Sequence, residues 1–135
     1  MLNAEGGSDR QGGVEHARDI GERTLAYGVR AVRLFRALQE SDDRAGWVIG
    51  KQYLRSATSI GANVTEAQAG ESRKDFIHKL QIAQKEARES LYWLRLLAEA
   101  EVLPPPRLHG ITEETSEIVA ILTAITRNAK RNDGG

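Results

Sequence analysis

Between residues 17 and 131 the apolar side chains recur every three or four positions and never alternate. That is the spacing of helices that each bury one face. No period-two run and no Asn-Gly hairpin signal interrupts it, so no segment is a candidate strand. Three breaks divide the pattern. "QESDDRAG" (39–46) dissolves it in short polar residues and Gly46. "AGESRKD" (69–75) places Gly70 to end a helix in the left-handed conformation. In the same stretch Ser72 and Asp75 stand at capping-box spacing, with the shorter acid as the reciprocal partner. "LPPP" (103–106) stops a helix because proline cannot extend the hydrogen-bond ladder and restrains the residue before it.

The segments between breaks predict four helices, at about 17–40, 45–68, 72–101 and 106–131. The first buries Ile20, Tyr27, Ala31, Leu34, Phe35 and Leu38, and the second Leu54, Ala57, Ile60, Gly61 and Val64. The third uses Phe76, Ile77, Leu80, Ala83, Ala87, Leu91, Leu94 and Ala98. The fourth uses Leu108, Ile111, Thr115, Ile118, Leu122 and Ile125; its acids Glu113, Glu114 and Glu117 come early and its bases late, as a helix dipole favours. Long helices on short connections predict an all-α, antiparallel up-down four-helix bundle over 17–131. Residues 1–16 and 132–135, polar and glycine-rich, are expected to be flexible tails.

Length and charge narrow the function. A chain of 135 residues fits one domain. Lys plus Arg equals Asp plus Glu at 19 each, so no overall field draws the chain to nucleic acid or anionic membrane. Without cysteine there is no disulfide, thiol chemistry or Cys-ligated metal. No apolar run approaches the roughly 20 residues of a membrane span, and "MLNAEGGSDRQGGVEHARD" lacks the apolar stretch of a signal peptide. The expectation is a cytoplasmic protein with no membrane partner.

Catalytic patterns are missing. A di-iron bundle needs Glu-x-x-His on two helices, and the nearest approach is the single Asp75-x-x-His78. His16 and His109 are not spaced to join His78. There is no phosphate loop and no nucleophile elbow, and nothing pairs Glu66, Glu86 or Glu89 for acid–base work. No enzyme activity, cofactor, metal or small-molecule substrate is expected.

Three sets of residues remain. On the outer side of the third helix, Ile82, Tyr92, Trp93 and Leu96 form an apolar face; it is either the rim of a wide core stripe or, in the reading preferred here, a subunit interface. Along the second helix, Gln52, Arg55, Ser59, Asn63 and Glu66 fall within about 80° of each other, a polar stripe opposite the core. Such a stripe is a solvated face, a ligand or RNA site, or a seam that fixes register between helices or subunits, the last being preferred. For nucleic acid the candidates are Arg30, Arg33, Arg36, Arg73, Lys74, Arg127, Lys130 and Arg131, which a ring would multiply into a basic belt. No base-reading motif accompanies them.

The stretch "QYLRSATSIGANVTEAQAGESRKDFIHKLQIAQKEARESLYWLRLL", followed by "EIVAILTAITRNAK", resembles the bacterial four-helix-bundle family also called the 23S rRNA intervening-sequence protein family. Its marks are Ser59-Ile60 with Asn63 and Glu66, then Ser72, Asp75-Phe76 and Tyr92-Trp93-Leu94. Many members carry Glu-Gly where this chain has Glu66-Ala67, so it looks like the subgroup with "EAQ". The resemblance implies an up-down bundle assembled into a pentameric ring, with no settled activity. The bundle is also similar to the accessory protein of diversity-generating retroelements, a basic ring that engages reverse transcriptase and nucleic acid. That similarity implies RNA, DNA or a nucleic-acid enzyme as an alternative partner, against which the neutral net charge counts.

Overall fold

A computed structural model describes the backbone of residues 12–70 and 72–134 and the side chains of 20–70 and 72–132. Four helices follow one another: α1 (Gly12–Gln39), α2 (Arg44–Gln68), α3 (Arg73–Glu99) and α4 (Pro105–Gly134). Each packs on its neighbour in sequence, and α4 closes the square against α1, which makes an all-α up-down bundle. The expected bounds were too short at both ends. α1 already runs from Gly12 and α4 continues to Gly134, while residues 1–11 and 135 of the expected tails lie outside the described residues.

Helix ends follow local chemistry. Asp43 caps α2 by accepting from the Gly46 N–H at 3.1 Å, and Ser72 caps α3 by accepting from the Asp75 N–H at 3.0 Å. The role expected of Gly70 is corrected: no described glycine has a positive φ, and Ala69 ends α2 at φ −94° and ψ 0°. Gly70 is required by space instead, since a Cβ there would sit 2.6 Å from Asp75 Oδ2 and 3.1 Å from the Ala67 carbonyl. The left-handed residue is Glu101, with φ 57°, after the third helix. There Glu101 N–H donates to the Ala98 carbonyl and Val102 N–H to the Leu97 carbonyl, a Schellman closure that ends α3 before Pro104 is reached. α4 then starts on Pro105, where a missing N–H costs nothing. Because α4 begins so early, its first turn holds no acid, and Glu113, Glu114 and Glu117 lie beyond the reach of the dipole.

The core is aliphatic at the level of surfaces and hydroxylic at its centre. Ile20, Ala31, Leu38, Ala57, Ile60, Val64, Leu80, Leu94, Leu97, Ile118 and Leu122 are buried, each large one contributing about 1.5–3 kcal/mol. Leu34, Leu54, Phe76, Ala98 and Ile125 pack only partly against this cluster. Tyr53, rather than Leu54, is the fully buried residue of α2 at that level. Its hydroxyl donates to Tyr27 Oη at 3.0 Å, and Thr115 Oγ1 donates to the Ile111 carbonyl at 2.6 Å. The Tyr27 hydroxyl, 2.6 Å from Thr115 Oγ1, is therefore the donor of that link. Three helices are thus joined by one buried chain of hydroxyls. A second link joins α2 to α3, where Ser56 and Ser90 lie 2.8 Å apart with Ser56 donating to the Tyr53 carbonyl. Burial drives both tyrosine pKa values up, so the chain is built from neutral hydroxyls.

Candidate functional site

Two surfaces of the bundle carry unpartnered apolar area, and the polar stripe lies between them. On α2 the stripe residues Gln52, Arg55 and Glu66 are exposed, while Ser59 and Asn63 are half-buried. A seam buried within the chain is therefore not what they form. Ser59 Oγ donates to the Arg55 carbonyl and Asn63 Nδ2 to the Ser59 carbonyl, bonds that stay on their own helix. Only Arg55 reaches across: its guanidinium meets Glu89 at 2.5 Å and Glu86 at 3.7 Å, both on α3. Glu89 also accepts from Trp93 Nε1 at 3.0 Å. That indole donor first, and Arg55 with it, hold the Glu89 carboxyl below the usual carboxylate range against the opposing effect of burial. Two predicted sets, the stripe and the apolar face, are thus tied together through one carboxylate that sequence reasoning had left out of both.

The apolar face itself is mixed. Tyr92 is 57% exposed and stacks edge-on against Trp93, with ring centroids 5.0 Å apart. Ile82 and Leu96 are half-buried, and Trp93 packs against the core cluster. Trp93 therefore belongs to the rim of the core stripe, the alternative weighed above, and Tyr92 is the residue that projects. Basic side chains border it: Lys85 and Arg88 are exposed on the same helix.

A second surface had no counterpart in the sequence reading. Between α1 and α2 runs an open groove of about 750 Å³, lined by Gly21, Gly28, Gly61 and Ala62 with Leu25, Val29 and Val32 along one wall. Leu25 is 70% exposed and Val29 43%. Glu22 and Glu66 line the same groove, and so does Gln68. Gly61 is explained by the close helix approach, because a Cβ there would lie 3.2 Å from the Thr24 carbonyl. Gly28 is not: a Cβ at that position would meet nothing within 4 Å. Leu25 and Val29 at helical spacing, opposite the core face, were the available signal.

Across α1 and α4 the junction is polar. Arg23 donates from Nε and Nη2 to the two carboxylate oxygens of Glu114, at 2.8 and 2.9 Å, and also binds Glu117. The Arg23 hydrogen bonds lower the Glu114 pKa, and the paired carboxylates raise that of Arg23. Beside this clamp a cleft of about 700 Å³ is lined by Ile20, Ile121, Ala124, Ile125 and Asn128. The basic candidates fall into separate groups, all exposed. Antiparallel packing brings Arg73 and Lys74, at the start of α3, to the same end as Arg127, Lys130 and Arg131 near the end of α4. Arg30, Arg33 and Arg36 lie toward the other end of α1. Among the described residues no group of three or more His, Asp or Glu is placed to hold a metal ion. Nor is any helix long and apolar enough to cross a membrane.

The four-helix bundle and the sequence marks along α2 and α3 converge on one class. The chain belongs to the 23S rRNA-intervening sequence protein family, whose model matches residues 26–124. A solved relative is similar over nearly its whole length: a protein of unknown function from the S23 ribosomal protein family of Bacteroides thetaiotaomicron VPI-5482. It is 39% identical, with a TM-score of 0.77, over 83% of this chain and 98% of its own. No functionally curated protein matches the chain.

Proposed function

We propose that the protein is a non-enzymatic, homo-oligomeric scaffold, whose resemblance to its family implies a pentameric ring. The observation that carries this is surface apolarity in a single copy: Leu25, Val48 and Tyr92 are 70%, 63% and 57% exposed. Grouped apolar area, as where Leu25 and Val29 share the α1–α2 groove, marks association surfaces rather than ordinary solvated ones. Of the carboxylates weighed for acid–base work, Glu89 is engaged by Arg55 and Trp93. Light scattering of the purified chain at micromolar concentration tests the reading, and a monomer there overturns it. Tyr92→Glu combined with Leu96→Glu is expected to dissociate the oligomer without unfolding the bundle, because a charge in a closed seam is costly. Trp93 is left intact in that variant, since it supports the core.

A second reading rests on the shared end of Arg73, Lys74, Arg127, Lys130 and Arg131. Repeated around an oligomer, that end would bind RNA or DNA through phosphates. The expected sign is an affinity that falls with salt and weakens when Arg127, Lys130 and Arg131 become Gln. Binding insensitive to both removes it.

A further inference from the structure

We infer that the α1–α2 groove is the seat for the α3 outer face of a second copy of this chain, so that successive copies join head to tail. The inference rests on the homo-oligomer reading and adds which two surfaces meet. Gly28 is its starting point. In a helix interior glycine costs about 1 kcal/mol relative to alanine, and nothing inside the chain needs its missing Cβ. A residue that the single chain does not require, lining an open apolar groove, is explained by something that comes close from outside.

The chain itself offers the complementary shape. The groove is concave, with small residues Gly21, Gly28, Gly61 and Ala62, and the α3 face is convex, with Tyr92 projecting. Charges match as well: Glu22 and Glu66 line the groove, while exposed Lys85 and Arg88 border Tyr92. The two surfaces also overlap in height along the bundle. Gly61 lies against Thr24, which sets α1 against α2, and the Ser56–Ser90 and Arg55–Glu89 pairs set α2 against α3. Thr58 to Thr65 of the groove therefore lies level with residues 81–88, Lys85 and Arg88 among them, and Tyr92 lies one turn further, level with Leu54. A head-to-tail contact of this kind closes into a ring when its repeated rotation returns to the start.

The absence of cysteine makes a direct test simple. Ala62→Cys and Arg88→Cys are prepared singly, unfolded together, refolded as a mixture and treated with a short bis-maleimide. A head-to-tail contact gives covalent dimers from the mixture and none from either variant alone. Cross-linking of a single variant with itself shows a two-fold contact instead, and overturns the inference while leaving the oligomer intact. A light-scattering monomer removes the oligomer reading and this one together. Gly28→Leu supplies the second arm: the open space around Gly28 lets the bundle fold, and the filled groove should weaken assembly at least tenfold. An oligomer of unchanged strength in that variant overturns the inference, as does a loss of RNA affinity without any loss of assembly.

Discussion

Tyr27 stands in the middle of the central hydroxyl chain, accepting from Tyr53 and donating to Thr115, so its loss reaches two neighbouring side chains. Tyr27→Phe strands the buried Tyr53 O–H and should cost about 2 kcal/mol, whereas Tyr53→Phe removes only the first donor and should cost about 1 kcal/mol. Urea denaturation of the two variants checks the order. The sign with pH follows from burial. Both phenols have folded pKa values raised above that of the unfolded chain, so their contribution is complete below about pH 10 and is lost as pH rises beyond it. Tyr53→Phe should therefore flatten the alkaline fall in melting temperature. The sequence placed Tyr27 and Thr115 on core faces but missed Tyr53, although Tyr53, Ala57, Ile60 and Val64 have helical spacing. Leu54 is the more apolar neighbour of Tyr53, and a ranking by hydrophobicity prefers it; only a hydroxyl partner on another helix reverses the choice. The polar stripe is a different case. Within the chain its regular spacing is not a register device, since Ser59 and Asn63 spend their bonds on the backbone of α2, and the seam between subunits is a matter for the assembly. As a monomer, the Glu66→Ala variant should unfold within about 0.5 kcal/mol of the parent, because Glu66 is exposed.

Helix existence was legible because each segment repeats its apolar spacing over several turns, while the closures depended on geometry that spacing does not encode. The end of α3 is the clearest case. Prolines at 104–106 signal a stop, but the Schellman closure falls earlier, with a non-glycine residue in the left-handed region. Glu101→Gly should stabilise the protein by roughly 1 kcal/mol, the cost of holding an L side chain there, as measured by chemical denaturation. The α1–α4 junction was legible only as charge. Glu114 and Glu117 come early in α4, yet they serve Arg23 across the bundle rather than the dipole of their own helix. Since the folded pKa of Glu114 is lowered, its contribution is present above about pH 4.3 and is lost as pH falls through the lowered value. Arg23→Gln should cost about 1 kcal/mol near neutrality, discounted for partial exposure, and that difference should shrink in acid.

At the scale of the molecule, order and handover of the four helices were readable from length and breaks, but the surfaces were not. Tyr92 and Trp93 are adjacent letters with opposite destinies, one projecting and one leaning on the core, because a helix turns 100° per residue. The groove on α1 and α2 needed both helices in place before Leu25 and Val29 could be recognised as unpartnered. The dissociation expected of Tyr92→Glu with Leu96→Glu, read by light scattering, belongs to this scale, as does the cross-linking of Ala62→Cys with Arg88→Cys. The hydroxyl chain has a mechanical consequence. Sliding one helix by a single turn moves it about 5.4 Å, which would break Tyr27–Thr115 for α1 or α4 and Ser56–Ser90 for α2 or α3, losing a buried link in the dry interior. Bundles filled only with leucine and alanine have no such stop and can transmit signals as ratchets, one turn at a time. This one is latched at mid-height, so a push on its surface is passed on by tilting the whole bundle as a stiff block.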